Sequence, residues 1–135
     1  MNIYDKDDGF KQFTLEEANK VLPDIIRLTS QILDELDTVR ENLESLHEAE
    51  SPEFAGAFDE YSADILAKWS QTVVKFGAYP KGFFTVDFKS HIPDTLLCWT
   101  YGEDQISHTH KTYETFKRRV PITDPAKIGF EESVN

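Results

Sequence analysis

Six side chains in the later part of the chain could act together: Asp87, Cys98, Glu103, His108, His110 and Arg119. Thiolate, imidazole and carboxylate are the donor set for zinc or another first-row divalent ion. His108 and His110 are spaced i, i+2, so on a strand both point to one face and could serve one ion. Whether Cys98 joins them depends on hairpin register. If Tyr101 pairs with Gln105 across Gly102-Glu103-Asp104, Cys98 lies opposite His108 and all three share a face. A two-residue turn reverses the parity and turns Cys98 away from both histidines. The sequence permits either register. His110 is the leading metal ligand, with His108, Cys98 and Glu103 as its helpers and a divalent ion such as zinc as the cofactor. The spacing matches no recognised zinc pattern such as two CxxC pairs.

Other chemistry is less well provided for. Cys98 with His108 or His110 could form a nucleophile and base in principle. The chain has no nucleophile elbow, no glycine-rich phosphate loop and no HExxH helix, so no catalytic residue is assigned. Lys111, Lys117, Arg118 and Arg119 form a local basic cluster. An enzyme acting on a small anion would hold it with Arg119 and Lys117 or Arg118, and work on it with His110. A purely structural account uses the same residues. Cys98 among Leu96, Leu97 and Trp99 is then a small core residue. His110 is bonded to Asp87 or Glu103, and Arg119 is the bidentate partner of a carboxylate, stapling the β region to the helices. Asp87, Arg119 and Lys117 are the residues of that polar or anion-binding network.

These groups need elements to position them. Thr14 followed by Glu17 has the form of a helix capping box. Apolar residues then recur at Leu15, Ala18, Leu22, Ile25, Ile32, Leu36, Val39, Leu43 and Leu46, with Thr29 filling the one gap. Steps of three and four without a slip are an a/d seam, the mark of helices packed side by side. The pattern predicts a helix to about residue 48, roughly 50 Å long at 1.5 Å per residue. That exceeds what one small domain covers, so the far end is expected to project or to meet another subunit. Pro23 lacks an amide hydrogen and should kink the helix without ending it. Ser51 and Pro52 open a second helix, with Phe54, Phe58, Tyr61, Ile65, Trp69, Thr72, Val73 and Phe76 on one side and Gly77 as its stop. The short connection makes the two helices antiparallel neighbours.

Beyond Gly77 the period changes. Residues 83–88 and 94–101 read as strands, 102–104 as a turn, and 105–110 as a returning strand. The predicted fold is α+β and mostly α: a long antiparallel helical hairpin, kinked near Pro23, followed by a small antiparallel β region. It divides into a flexible arm at 1–12, the hairpin at 13–77, the β region packed on the helices at 78–122 and a mobile tail at 123–135, in a single domain overall.

Composition narrows the partners. The chain has 135 residues and a formal net charge of -11, which argues against nucleic acid or an anionic membrane surface. One cysteine excludes an intrachain disulfide and suits a reducing compartment. The first residues carry neither a basic start nor an apolar run, so a cytoplasmic location is expected.

Two motifs resemble a known family. Phe13-Thr14-Leu15-Glu16-Glu17-Ala18-Asn19, followed by Val21-Leu22-Pro23, is similar to the opening of a bacterial family catalogued as domain-of-unknown-function family 2203. Val86-Asp87-Phe88, Cys98-Trp99, Gly102-Glu103, Ile106, His110, Phe116, Arg119 and Pro121 resemble its later segment. The chain departs from the family pattern where Thr109-His110-Lys111 stands for Trp-His-Glu, and at Tyr113, Thr115 and Arg118. The resemblance implies helices before a small β region and no activity. The leading expectation, drawn from a seam longer than one domain covers, is a non-enzymatic protein that self-associates as a homodimer through its helices. A metal-binding protein and an enzyme on a small anion are the alternatives.

Overall fold

The computed structural model describes residues 10–48 and 51–123; the expectations for an arm over 1–9 and a tail over 124–135 lie outside them. The first helix, α1, runs Leu15–Glu44. Thr14 caps it in a reciprocal box: its hydroxyl accepts from the Glu17 amide at 3.0 Å, and the Glu17 carboxylate accepts from the Thr14 amide at 3.0 Å. The helix continues through Pro23, which is exposed and leaves the Asn19 carbonyl without its i+4 donor. The second helix, α2, runs Pro52–Lys75 and is capped by Ser51, whose hydroxyl accepts from the Phe54 amide. Gly77 ends it at φ +95, with its amide on the Val74 carbonyl and the Ala78 amide on the Val73 carbonyl. That pair of bonds is a Schellman turn, which requires a residue without a Cβ penalty at this position.

Seam residues Ala18, Leu22, Ile25, Thr29, Ile32 and Leu43 are buried. Thr29, the apparent gap in the seam, is its polar lock. Its hydroxyl donates to the Ile25 carbonyl at 2.8 Å and accepts from the Trp69 indole N–H at 2.9 Å. On α2 the buried face carries Phe54, Ser62, Trp69 and Val73. Tyr61, expected on that face, is 57% exposed; the small Ser62 takes the buried place one residue later. The helix α1 stops at Glu44, short of the expected residue 48, and of the seam only Leu46 stands clear in solvent. The seam packs against α2, and Leu22, Ile25 and Ile32 also share one core with residues of the β region.

Among the described residues six strands follow or precede the hairpin: β1 Gln12–Phe13, β2 Tyr79–Lys81, β3 Thr85–Ser90, β4 Thr95–Thr100, β5 His108–Lys111 and β6 Val120–Pro121. The order is β1-β3-β4-β5-β6, with β2 also paired to β3. The sheet is mixed, not antiparallel throughout, because β1 lies parallel to β3. Gln12, the last residue of the expected arm, is part of that strand and pairs with Lys89. The parallel contact follows from chain order: β1 enters α1 directly, and the whole hairpin serves as the crossover back to β3.

Register sorts the sheet into two faces. Val86 pairs with Trp99 and Phe88 with Leu97, and these four enter one core with Phe13, Leu22, Ile25, Ile32, Trp69 and Val73 of the helices. Each such fully buried large side chain contributes roughly 1.5–3 kcal/mol of apolar transfer energy. The residues between them, Thr85, Asp87, Cys98 and Thr100, point away from the helices.

Candidate functional site

Four of the six chemically able side chains fall on this second face. Cys98 pairs with Asp87 on one side and with His108 on the other, while His110 sits opposite Leu96. Directly opposed residues share a face, so Asp87, Cys98, His108 and His110 project together. The register with Cys98 opposite His108 is therefore the one adopted. Its connection is longer than the three-residue turn that implied it, running from residue 101 to 107. Both give the same parity.

Asp87, Cys98 and His110 converge: one ligand atom from each lies within 4.8 Å of the others, and all three residues are buried. His110 Nε2 is 3.1 Å from Asp87 Oδ1, and His110 Nδ1 is 2.8 Å from the Lys111 carbonyl. A carbonyl only accepts, so Nδ1 carries a proton and Nε2 is the nitrogen presented to the cluster. Its hydrogen bond to Asp87 raises the His110 pKa above the usual imidazole value, against the opposing effect of burial. Cys98 is pushed up to about 12, by burial first and then by the Asp87 charge. A thiol held neutral in this way is no nucleophile by itself. A divalent ion would change that, because a coordinating thiol is deprotonated outright.

Beside this cluster sits a second one. Glu103 takes two bonds from Arg119, at 2.7 and 3.1 Å, and one from the Thr100 amide at 2.9 Å. His108 Nδ1 is 3.5 Å from the same carboxylate. Burial opposes ionisation of Glu103, yet the Arg119 bonds and charge and the Thr100 amide together outweigh it and hold the carboxyl below its usual range. The Arg119 guanidinium also lies 4.3 Å from the Phe116 ring and 4.0 Å from Cys98 Sγ. Arg119 is thus the bidentate partner of a carboxylate, as expected. It ties the 112–119 segment to the β4–β5 connection, however, and not the β region to the helices.

A cleft of about 850 Å³ opens over the first cluster, with Asp87 and His110 among its lining residues. Thr85 and Thr100, whose hydroxyls are 2.9 Å apart, also line it. One rim is Lys81 and Gly82, from the β2–β3 hairpin; the other is Glu114, Thr115, Phe116 and Lys117. Phe84 adopts φ 56 in that hairpin, and its ring is held edge-on by Trp69 at 5.1 Å. Such a backbone costs of order 1–3 kcal/mol, so the packing that holds it also fixes where Lys81 and Gly82 stand.

A family model for uncharacterized conserved proteins, DUF2203, matches residues 11–122. The chain belongs to the DUF2203 family. No curated protein and no solved structure gives a significant match. Five of the residues that carried the resemblance to DUF2203 are neighbours in space: Asp87 pairs with Cys98, His110 reaches Asp87, and Arg119 holds Glu103.

The predicted metal set is thereby split. Cys98 and His110 stay together and gain Asp87; His108 and Glu103 join Arg119 in the adjoining ion pair. The basic cluster disperses as well. Lys117 lines the cleft, Lys111 Nζ bonds Thr95, and Arg118 is exposed. Sequence reasoning missed Thr85 and Thr100. Their i, i+2 spacing from Asp87 and Cys98 marks them as same-face neighbours once those strands are paired.

Proposed function

We propose that this protein binds a divalent metal ion, with Asp87, Cys98 and His110 as its three protein ligands. The observation that carries the reading is the mutual approach of one carboxylate, one sulfur and one imidazole atom within 4.8 Å at buried positions. Three protein ligands with a fourth position left to solvent is the arrangement of reactive zinc sites, whereas closed structural sites use four. The Nδ1–H bond from His110 to the Lys111 carbonyl supports it further, since it orients Nε2 as a ligand. Arg119, held by Glu103, lies 4.0 Å from the sulfur and would serve as outer support.

Elemental analysis of the purified, tag-free full chain, before and after incubation with zinc, tests the reading. About one ion per chain is expected. His110→Ala and Asp87→Asn should each weaken binding by more than the roughly 10–100-fold lost with outer partners. His108→Ala should retain the metal. Wild-type protein that takes up no stoichiometric metal would sink the proposal.

A second reading rests on the hairpin surface. We propose self-association through the helices, supported by Leu46, Tyr61, Leu66 and Val74, which are 74%, 57%, 39% and 43% exposed. A monomeric mass at micromolar concentration removes it.

A further inference from the structure

We infer that the cleft over Asp87 and His110 takes a small molecule carrying an oxyanion, a carboxylate or a phosphate, joined to a compact apolar body. The inference rests on the metal reading above. Of the three ligands, Asp87 and His110 line the cleft, while Cys98 is fully buried beneath it. The open coordination position therefore faces the cleft. A divalent ion would cancel the charges of Asp87 and a thiolate Cys98. Among the described residues lining the rims, Lys117 is an ammonium and Glu114 a carboxylate. Glu114 is already engaged, accepting from the Lys111 amide at 2.9 Å. An oxyanion is a natural fourth ligand for such an ion, and Lys117 puts an ammonium on the rim beside it. The Thr85 and Thr100 hydroxyls supply hydrogen-bonding groups on the wall. Phe116, 45% exposed on the rim, supplies apolar contact for the rest of the molecule. The volume lies within the range of small-molecule pockets.

This assignment differs from one that relies on the basic residues nearest in sequence. Arg119 is occupied by Glu103, so Lys117 is the cation of that cluster that borders the cleft.

Cobalt(II) takes the same donors, and its visible absorption bands respond to an added ligand, so it separates the two claims. The full chain is loaded with cobalt(II) and titrated with benzoate in one arm and inorganic phosphate in another. Saturable band shifts with either probe are expected, and the arm that responds at lower concentration names the anion class. In Lys117→Gln protein the cobalt bands should form as in wild type, with probe affinity about fivefold weaker, the size of one partly exposed charge contact. Lys20→Gln, on α1 across the sheet, should change neither. Cobalt that binds without responding to either probe overturns the inference and leaves the metal reading standing. Bands that shift equally in wild-type and Lys117→Gln protein put the probe elsewhere and also overturn it. Failure to bind cobalt removes both claims together.

Discussion

Residue types showed what chemistry was possible, while partners were decided in three dimensions. His110 was legible as the central imidazole, and its bond to Asp87 is one of the two pairings its surroundings allowed. The exchange of Glu103 for Asp87 in the cluster was not legible, because it depends on where the β4–β5 connection returns. Glu103 sits in that connection and reaches Arg119; Asp87 is on β3 and lies directly opposite Cys98. The Glu103–Arg119 pair carries a pH signature. The folded pKa of Glu103 is depressed, so its contribution to stability is complete above the unfolded carboxylate value and is lost as pH falls through the folded one. Glu17 in the α1 capping box shifts in the same direction. Denaturation followed across the acid range should therefore show a steep limb that is shallower in Glu103→Gln protein. Arg119→Ala, which leaves a partly buried carboxylate without its fork, should cost about 1–3 kcal/mol near neutral pH, read from urea midpoints. An unchanged midpoint would mean that the pair is only a solvated contact.

Both helices were readable because capping chemistry and seam are local. The Thr14–Glu17 box, the Ser51 cap and the Gly77 stop are each made by bonds that span no more than five residues. Strands were harder. The first predicted strand at 83–88 is displaced to Thr85–Ser90 by a 3-10 turn at Gly82–Phe84, and β2 carries Pro80. Among the described residues β2 pairs with β3 alone, the edge placement in which proline is tolerated. Two substitutions test how elements are joined. Thr29→Val keeps the branched shape but strips the Trp69 indole N–H of its acceptor, and should cost about 1–3 kcal/mol in urea unfolding. Gly77→Ala forces a left-handed backbone on a residue with a Cβ, at about 1–2 kcal/mol. That Cβ would also stand 3.2 Å from the Lys11 Cβ. Wild-type stability in either variant would show that the helix–helix lock or the turn tolerates repacking.

For the whole molecule, charge and shape bear on association. Copies of a chain with net charge -11 repel one another at long range, and salt screens that repulsion. If the helices self-associate, mass measured by sedimentation should rise with ionic strength; the opposite trend would point to an interface made of ion pairs. Among the described residues no helix is long and apolar enough to cross a membrane. The expected overhang of the seam is largely absent, since its residues are buried or half-buried as far as Leu43 and α1 ends at Glu44. By itself the sequence determined the helical hairpin, its caps and the α+β class, because periodicity and capping act over a few residues. It also held the parity that brings Cys98, His108 and His110 to one face, without saying which of two registers would be taken. Only the tertiary structure decided that register, the parallel place of β1 and the meeting of Asp87 with Cys98 and His110. Those pairings join residues far apart in the chain, and a strand contains no record of which neighbour it will meet. They form because the apolar face of the sheet must bury itself against the hairpin, which leaves the polar residues of β3, β4 and β5 together on the side that remains.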